Sequence, residues 1–133
     1  MARLSPRNLL RATALAAGLA IAGSAVAFDS VRMMIPANPG GGWDTTGREL
    51  GKAMIAAGAV KNIQYDNKGG AAGAIGLAQF VSASKGDPNA LMMGGMVMVG
   101  GLIQNKSAVT IDQVTPVARL TSEYEVIVVP SNS

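Results

Sequence analysis

The sequence contains no cysteine and no histidine, and its aromatic residues are one tryptophan, two tyrosines and two phenylalanines. Without cysteine no disulfide can form, so the fold must hold by packing alone. Without histidine, His-based general acid–base catalysis, Ser-His-Asp triads and His-ligated zinc are excluded. After Ala27 there is no run of Lys or Arg, and the clustered basic surface that nucleic-acid binding requires is missing. The apolar runs after Ala27 are short or interrupted by glycine, so no membrane span and no stable membrane insertion are expected there. Neither a G-x-S-x-G elbow nor a G-x-G-x-x-G fingerprint occurs.

What is present begins with Met1 to Ala27, which has the three parts of a secretory signal peptide. Arg3, Arg7 and Arg11 form a basic start, Ala12 to Ala22 is apolar and uncharged, and Ala25-Val26-Ala27 is a small-x-small cleavage site. Cleavage after Ala27 and a periplasmic location are therefore expected. The three arginines account for the positive whole-chain charge. In residues 28–133, eight Lys and Arg balance eight Asp and Glu. That length suffices for one small domain.

The remaining chain alternates strand, loop and helix. Phe28 to Ile35 fits a first strand, stopped by Pro36. Pro36 to Trp43, with two prolines and three consecutive glycines, must be a loop. Leu50, Ala53, Met54 and Ala57 recur at helical spacing, with Asp44 or Thr45 as the expected N-cap and Gly58 as the stop. Asn62 to Asn67 alternates as a second strand, Lys68 to Gly73 is a second glycine-rich loop, and Ala74 to Ser84 reads as a second helix. Asp87-Pro88-Asn89 is a turn, Leu91 to Met93 a short buried strand, Met96 to Ile103 a third helix, and Asn105 to Val114 a loop or helical turn. Val117 to Leu120 and Glu125 to Val129 are strand-like. This order predicts an α/β fold with a parallel sheet of βαβ units.

Gly40-Gly41-Gly42, Gly69-Gly70 with Gly73, and Gly94-Gly95 each follow a strand and precede a helix. In a parallel sheet the carboxyl ends of the strands share one edge, where ligands bind. Glycine allows close backbone approach, and the following helix offers free N–H groups and a positive dipole end. Side by side, such loops suit a small carboxylate read by backbone amides; tight turns alone are the plainer reading of any single loop. Gly42 to Glu49 has the glycine spacing of a Walker A motif, but Arg48 and Glu49 stand where Lys and Ser or Thr are needed. Asp44 reads either as a helix cap or as a holder of water or a ligand hydroxyl. Trp43 reads either as a pocket wall or as a cover for the first helix. Met92, Met93, Met96 and Met98 read as core packing. Glu123 and Glu125 read as solvated acids, and only in the alternative of a secreted α/β enzyme would they act with Asp44 as acid–base groups.

Four stretches carry a resemblance: Ile35 to Arg48 (IPANPGGGWDTTGR), Tyr65 to Gly76 (YDNKGGAAGAIG), Gly86 to Leu91 (GDPNAL) and Thr115 to Pro130 (TPVARLTSEYEVIVVP). In combination they resemble the substrate-binding proteins of tripartite tricarboxylate transporters, the Bordetella uptake family, and WDTTGR with GGMVMVGG is similar to its tricarboxylate-binding branch. The resemblance implies a periplasmic binding protein of two α/β domains joined by a hinge, without catalysis and without a cofactor. It implies a citrate-like di- or tricarboxylate as ligand and the membrane components of the transporter as partners. A sensing subunit that signals to a membrane kinase is the alternative use of the same site. By motif, the implied ligand-binding positions are Asn38, Gly40, Gly41, Gly42, Trp43 and Asp44 in the first loop, with Asp44 anchoring an ordered water. Gly70, Ala71, Ala72 and Gly73 follow in the second loop, and Gly95, Met96 and Val97 in the third. Family members are longer, so the resemblance implies that residues 28–133 are the N-terminal part of ligand-binding domain 1, with domain 2 and the hinge absent.

Overall fold

A computed structural model describes residues 28–122, 124 and 126–133. The signal peptide expectation and Glu123 and Glu125 lie outside the described residues.

The elements are β1 (Phe28–Ile35), α1 (Gly42–Ala56), β2 (Val60–Asn67), α2 (Ala74–Ala83), β3 (Ala90–Met92) and α3 (Met96–Gln104). Short 3-10 turns occupy Ala71–Gly73 and Ile111–Gln113. The three strands form one parallel sheet in the order β2-β1-β3. The α/β reading is thus correct, and the strand and helix bounds agree with the sequence to within about two residues, the usual uncertainty of an element's end, except that α1 starts at Gly42, three residues early, and takes Gly42 and Trp43 from the expected loop.

β1 is central, and its last three residues, Met33 to Ile35, are buried on both faces. Val31, Met33 and Ile35 pack with Ile63, Leu50 and Met54, placing α1 on one face. Met34 points the other way in register with Met92, and Met92 packs against the buried cluster of Leu77, Met98 and Leu102 on α2 and α3. The chain leaves β1 toward β2, then crosses back over β1 to reach β3. The loops after β1 and β3 therefore sit side by side and lead away in opposite directions. This switch point is where parallel sheets place their ligand crevice.

Glycines set how closely the helices lie. A Cβ on Gly47 would meet Ile35 Cδ1 at 3.1 Å and Met33 Sδ at 3.2 Å, and one on Gly51 would collide with the Tyr65 hydroxyl. On the opposite face a Cβ on Gly76 would meet Pro36 Cβ at 2.6 Å. At the end of α1, Gly58 has φ +70° and donates to the Ile55 carbonyl at 3.0 Å, and Ala59 donates to Met54 at 3.0 Å. This is a Schellman ending with glycine in the left-handed position, so the predicted stop is met.

Two expectations are corrected. The N-cap of α1 is Gly41, with no side-chain cap bond, and Asp44 lies in the first turn. Asp44 is drawn instead to Arg48 and Asn67, which compete successfully for its carboxylate. Val117 to Leu120 and the described part of Glu125 to Val129 are not strands. An apolar β-branched run becomes a strand only when a ladder partner accepts it, and no described residue does. Ile127 is accordingly 96% exposed. Among the described residues no helix is long and apolar enough to cross a membrane.

Candidate functional site

The three glycine loops meet at the carboxyl edge of the sheet. The first turns back on itself after Pro36: Gly41 N–H donates to the Asn38 carbonyl at 3.4 Å, and Gly40 takes φ +85°. Asn38 lies so close to Gly69 of the second loop that a Cβ there would strike its side chain. The second loop runs through four successive residues of positive φ, Gly70 (122°), Ala71 (47°), Ala72 (54°) and Gly73 (95°). The two alanines occupy a region that L-residues populate sparsely, a type of strain that gathers at functional sites. Ala72 is braced from behind by Gly101 of α3, whose added Cβ would collide with it.

Trp43 joins the loops. Its indole lies against Gly73, where a Cβ would meet Cζ3 at 3.1 Å, and against Gly95, where a Cβ would meet Nε1 at 3.1 Å. It packs with the hydrophobic clusters of both sheet faces. Trp43 is therefore neither a simple cover for α1 nor a free wall; it wedges the first loop against the other two.

Asp44 is the only buried charged residue among the described ones, 5% exposed. Its Oδ2 accepts the Gly40 N–H at 2.9 Å, Arg48 Nε lies 3.0 Å from each oxygen, and Asn67 Nδ2 donates to Oδ1 at 3.0 Å. The Arg48 hydrogen bond, then those from Gly40 and Asn67, hold the Asp44 carboxyl well below the usual carboxylate range, against the opposing effect of burial. Arg48 in turn stacks over the Tyr65 ring, 4.8 Å from its centroid. Three N–H groups thus meet the two carboxylate oxygens, the single Arg48 Nε–H being shared between them. Asp44 ties the first loop to the end of β2.

The available groups are amides. Among the described residues no protein acceptor meets the N–H groups of Gly42, Trp43, Ala71, Ala72, Met96 or Val97. α1 carries Asp44 in its first turn, whereas α2 and α3 carry no acid there. The positive ends of α2 and α3 thus remain open to an anion. Met96 and Val97 are exposed beside them as an apolar rim, while Met92, Met93 and Met98 belong to the packed interior.

Gly40, Gly41, Gly42, Ala71 and Ala72 are exposed, so the loops offer a surface shelf. Two concavities lie away from them: about 390 Å³ between α1 and Leu120, and about 410 Å³ between α3 and the turn at Ile111–Gln113. Neither is lined by a glycine loop. Among the described residues no group of three or more acidic side chains is placed to hold a metal.

Sequence reasoning placed the three loops and Asp44, and missed Arg48, Tyr65 and Asn67 as part of the same assembly. The Asp44–Arg48 spacing of four residues was a usable helical-pair signal. The Asn67 link joins positions 23 apart and left no local trace. No protein-family model matches this chain, and no curated protein or solved structure does.

Proposed function

We propose that this chain is a periplasmic solute-binding protein that holds a small di- or tricarboxylate, citrate-like in chemistry, on backbone amides and hands it to the membrane components of a tripartite tricarboxylate carrier. The observation that carries the reading is the convergence of three glycine loops around Trp43, with unpartnered amides on each. Backbone N–H groups at helix starts recognise carboxylates without a dedicated arginine. The second and third loops are the better-suited pair, because no acid opposes an anion at the helices that follow them.

The state of Asp44 supports binding over catalysis. A general base must be free to take a proton near the working pH. Asp44 is held ionised by Arg48, Gly40 and Asn67.

Calorimetric titration of the full chain with citrate, malate, tartrate and succinate tests the proposal, with Trp43 emission followed in parallel. Saturable binding of at least one, accompanied by a change in Trp43 emission, is the expected result. No heat and no spectral change with any of the four overturns it.

A further inference from the structure

Asn67 is the last residue of β2, in register with Ile35 of β1. Its carboxamide touches two other parts of the fold at once. Nδ2 donates to the Ala37 carbonyl of the first loop at 3.1 Å and to Asp44 Oδ1 on α1 at 3.0 Å. Oδ1 lies 3.3 Å from Arg48 Nη2, which donates to it. The amide orientation follows from chemistry. Turned over, the oxygen would face a carbonyl and a carboxylate, and the NH2 group would face a guanidinium. Aspartate has the right shape for this position but lacks both N–H donors. Leucine has neither donor nor acceptor.

The chain of contacts leads to the loop. Asn67 fixes one oxygen of Asp44, and the other oxygen holds the Gly40 N–H. Asn67 also grips Ala37 at the loop's other end. The charged and titratable groups around position 67 are Asp44 and Arg48 from α1, the chain neighbours Asp66 and Lys68, which pair at 4.0 Å, and Tyr65 beneath Arg48.

We propose that Asn67 is a positioning residue: it sets the shape of the first glycine loop through Ala37 and Asp44, and so the aim of the loop's amides at a ligand. The ligand half of this statement rests on the carboxylate-binding reading above.

Asn67→Asp is the informative variant. It sets a carboxylate against Asp44 at the place of the lost N–H, so like charges repel at neutral pH. On acidification one carboxyl of such a pair takes up a proton readily, and its O–H can donate again. In the full chain, the amide-exchange protection of Gly40 is expected to fall at least about tenfold at about pH 7.5, the size of losing a hydrogen bond to a charged group. It should return toward wild type at about pH 5, with protection of Leu50 and Gly51 in the middle of α1 unchanged. Asn67→Leu should lose Gly40 protection at both pH values. Citrate affinity should follow the same pattern.

Unchanged Gly40 protection in both variants overturns the proposal. So does a loss in Asn67→Asp that acid does not reverse, or one shared equally by Gly51, since general weakening of the fold would produce either. If Gly40 behaves as expected and the wild type binds no carboxylate, the role of Asn67 in the loop stands and the carboxylate reading falls. Should Asn67→Asp fail to fold, Asn67→Ser, with one donor in place of two, should keep more Gly40 protection than Asn67→Leu at both pH values, and equal loss in the two overturns the proposal.

Discussion

At the scale of single residues, buried Asp44 makes the chain's acid behaviour predictable. Its carboxyl is held below the ordinary carboxylate value by Arg48, Gly40 and Asn67. A group with a depressed folded pKa contributes stability above its unfolded pKa and loses it as pH falls toward the folded one. The wild type should therefore weaken steadily below about pH 4. Asp44→Asn should be less stable at neutral pH and show a shallower loss over that acid range, read from urea midpoints against pH. Asp29, lowered by its hydrogen bond to Lys61, acts in the same direction and remains in both proteins. Equal acid slopes in the two would refute the assignment. Two glycines offer a second test. Alanine is favoured over glycine within a helix by about 1 kcal/mol. At Gly47 the new methyl meets side-chain atoms of Ile35, Met33 and Met93 at 3.1 to 3.2 Å, which can yield slightly. At Gly76 it meets the Pro36 ring at 2.6 Å and the Lys68 carbonyl at 3.0 Å, which cannot. Gly47→Ala should stay within about 1 kcal/mol of wild type, and Gly76→Ala should lose about 2 kcal/mol or more in denaturant unfolding.

At the scale of elements, positive φ is met by glycine in one place and by alanine in another. Gly58 ends α1 in the left-handed region with both Schellman bonds in place. Alanine there keeps the bonds but must adopt the same φ, so Gly58→Ala should cost about 1 kcal/mol, visible as a lowered Tm. The second loop is the reverse case. Ala71 and Ala72 already sit at positive φ, held there by the bonded turn between Gly70 and Gly73 and by α3 behind Ala72. Strain of this kind persists only when its surroundings impose it. That loop and its brace are thus one unit, and α3 contributes to the shelf as a support as well as through its own first amides.

At the scale of the whole molecule, the sheet has three strands and therefore two outer edges, β2 and β3. The segment carrying Val126, Ile127, Val128 and Val129 is exposed and outside the sheet. An apolar β-branched run outside the sheet, together with outer strands that have no further strand partner among the described residues, favours pairing between copies. Light scattering should show self-association of the full chain that grows with concentration. Ile127→Lys should reduce it, since a charge on such a run opposes edge pairing. Equal scattering by the two proteins would show that this segment is not what associates.

What could be read from the residues alone followed local rules. Pro36 stopping β1, the left-handed Gly58, the spacing of Leu50 and Met54 and the loops at glycine runs are all decided within a few neighbours. The alternation of strands and helices then implied a parallel sheet and a common edge for the loops. The bonding of Asp44 was not readable in this way. Its capping tendency is local, yet its carboxylate is claimed by Arg48 one turn on and by Asn67 on another strand. The runs at Val117 and Val126 failed for the opposite reason, since a strand needs a partner and propensity does not supply one. The sequence by itself determined the elements and the loops between them, because short-range sterics and periodicity specify those. Only the tertiary structure decided that the loops close around Trp43, that Asp44 is bonded to Arg48, Gly40 and Asn67, and that the loop amides meet no protein acceptor among the described residues, because each depends on contacts between segments distant in the chain.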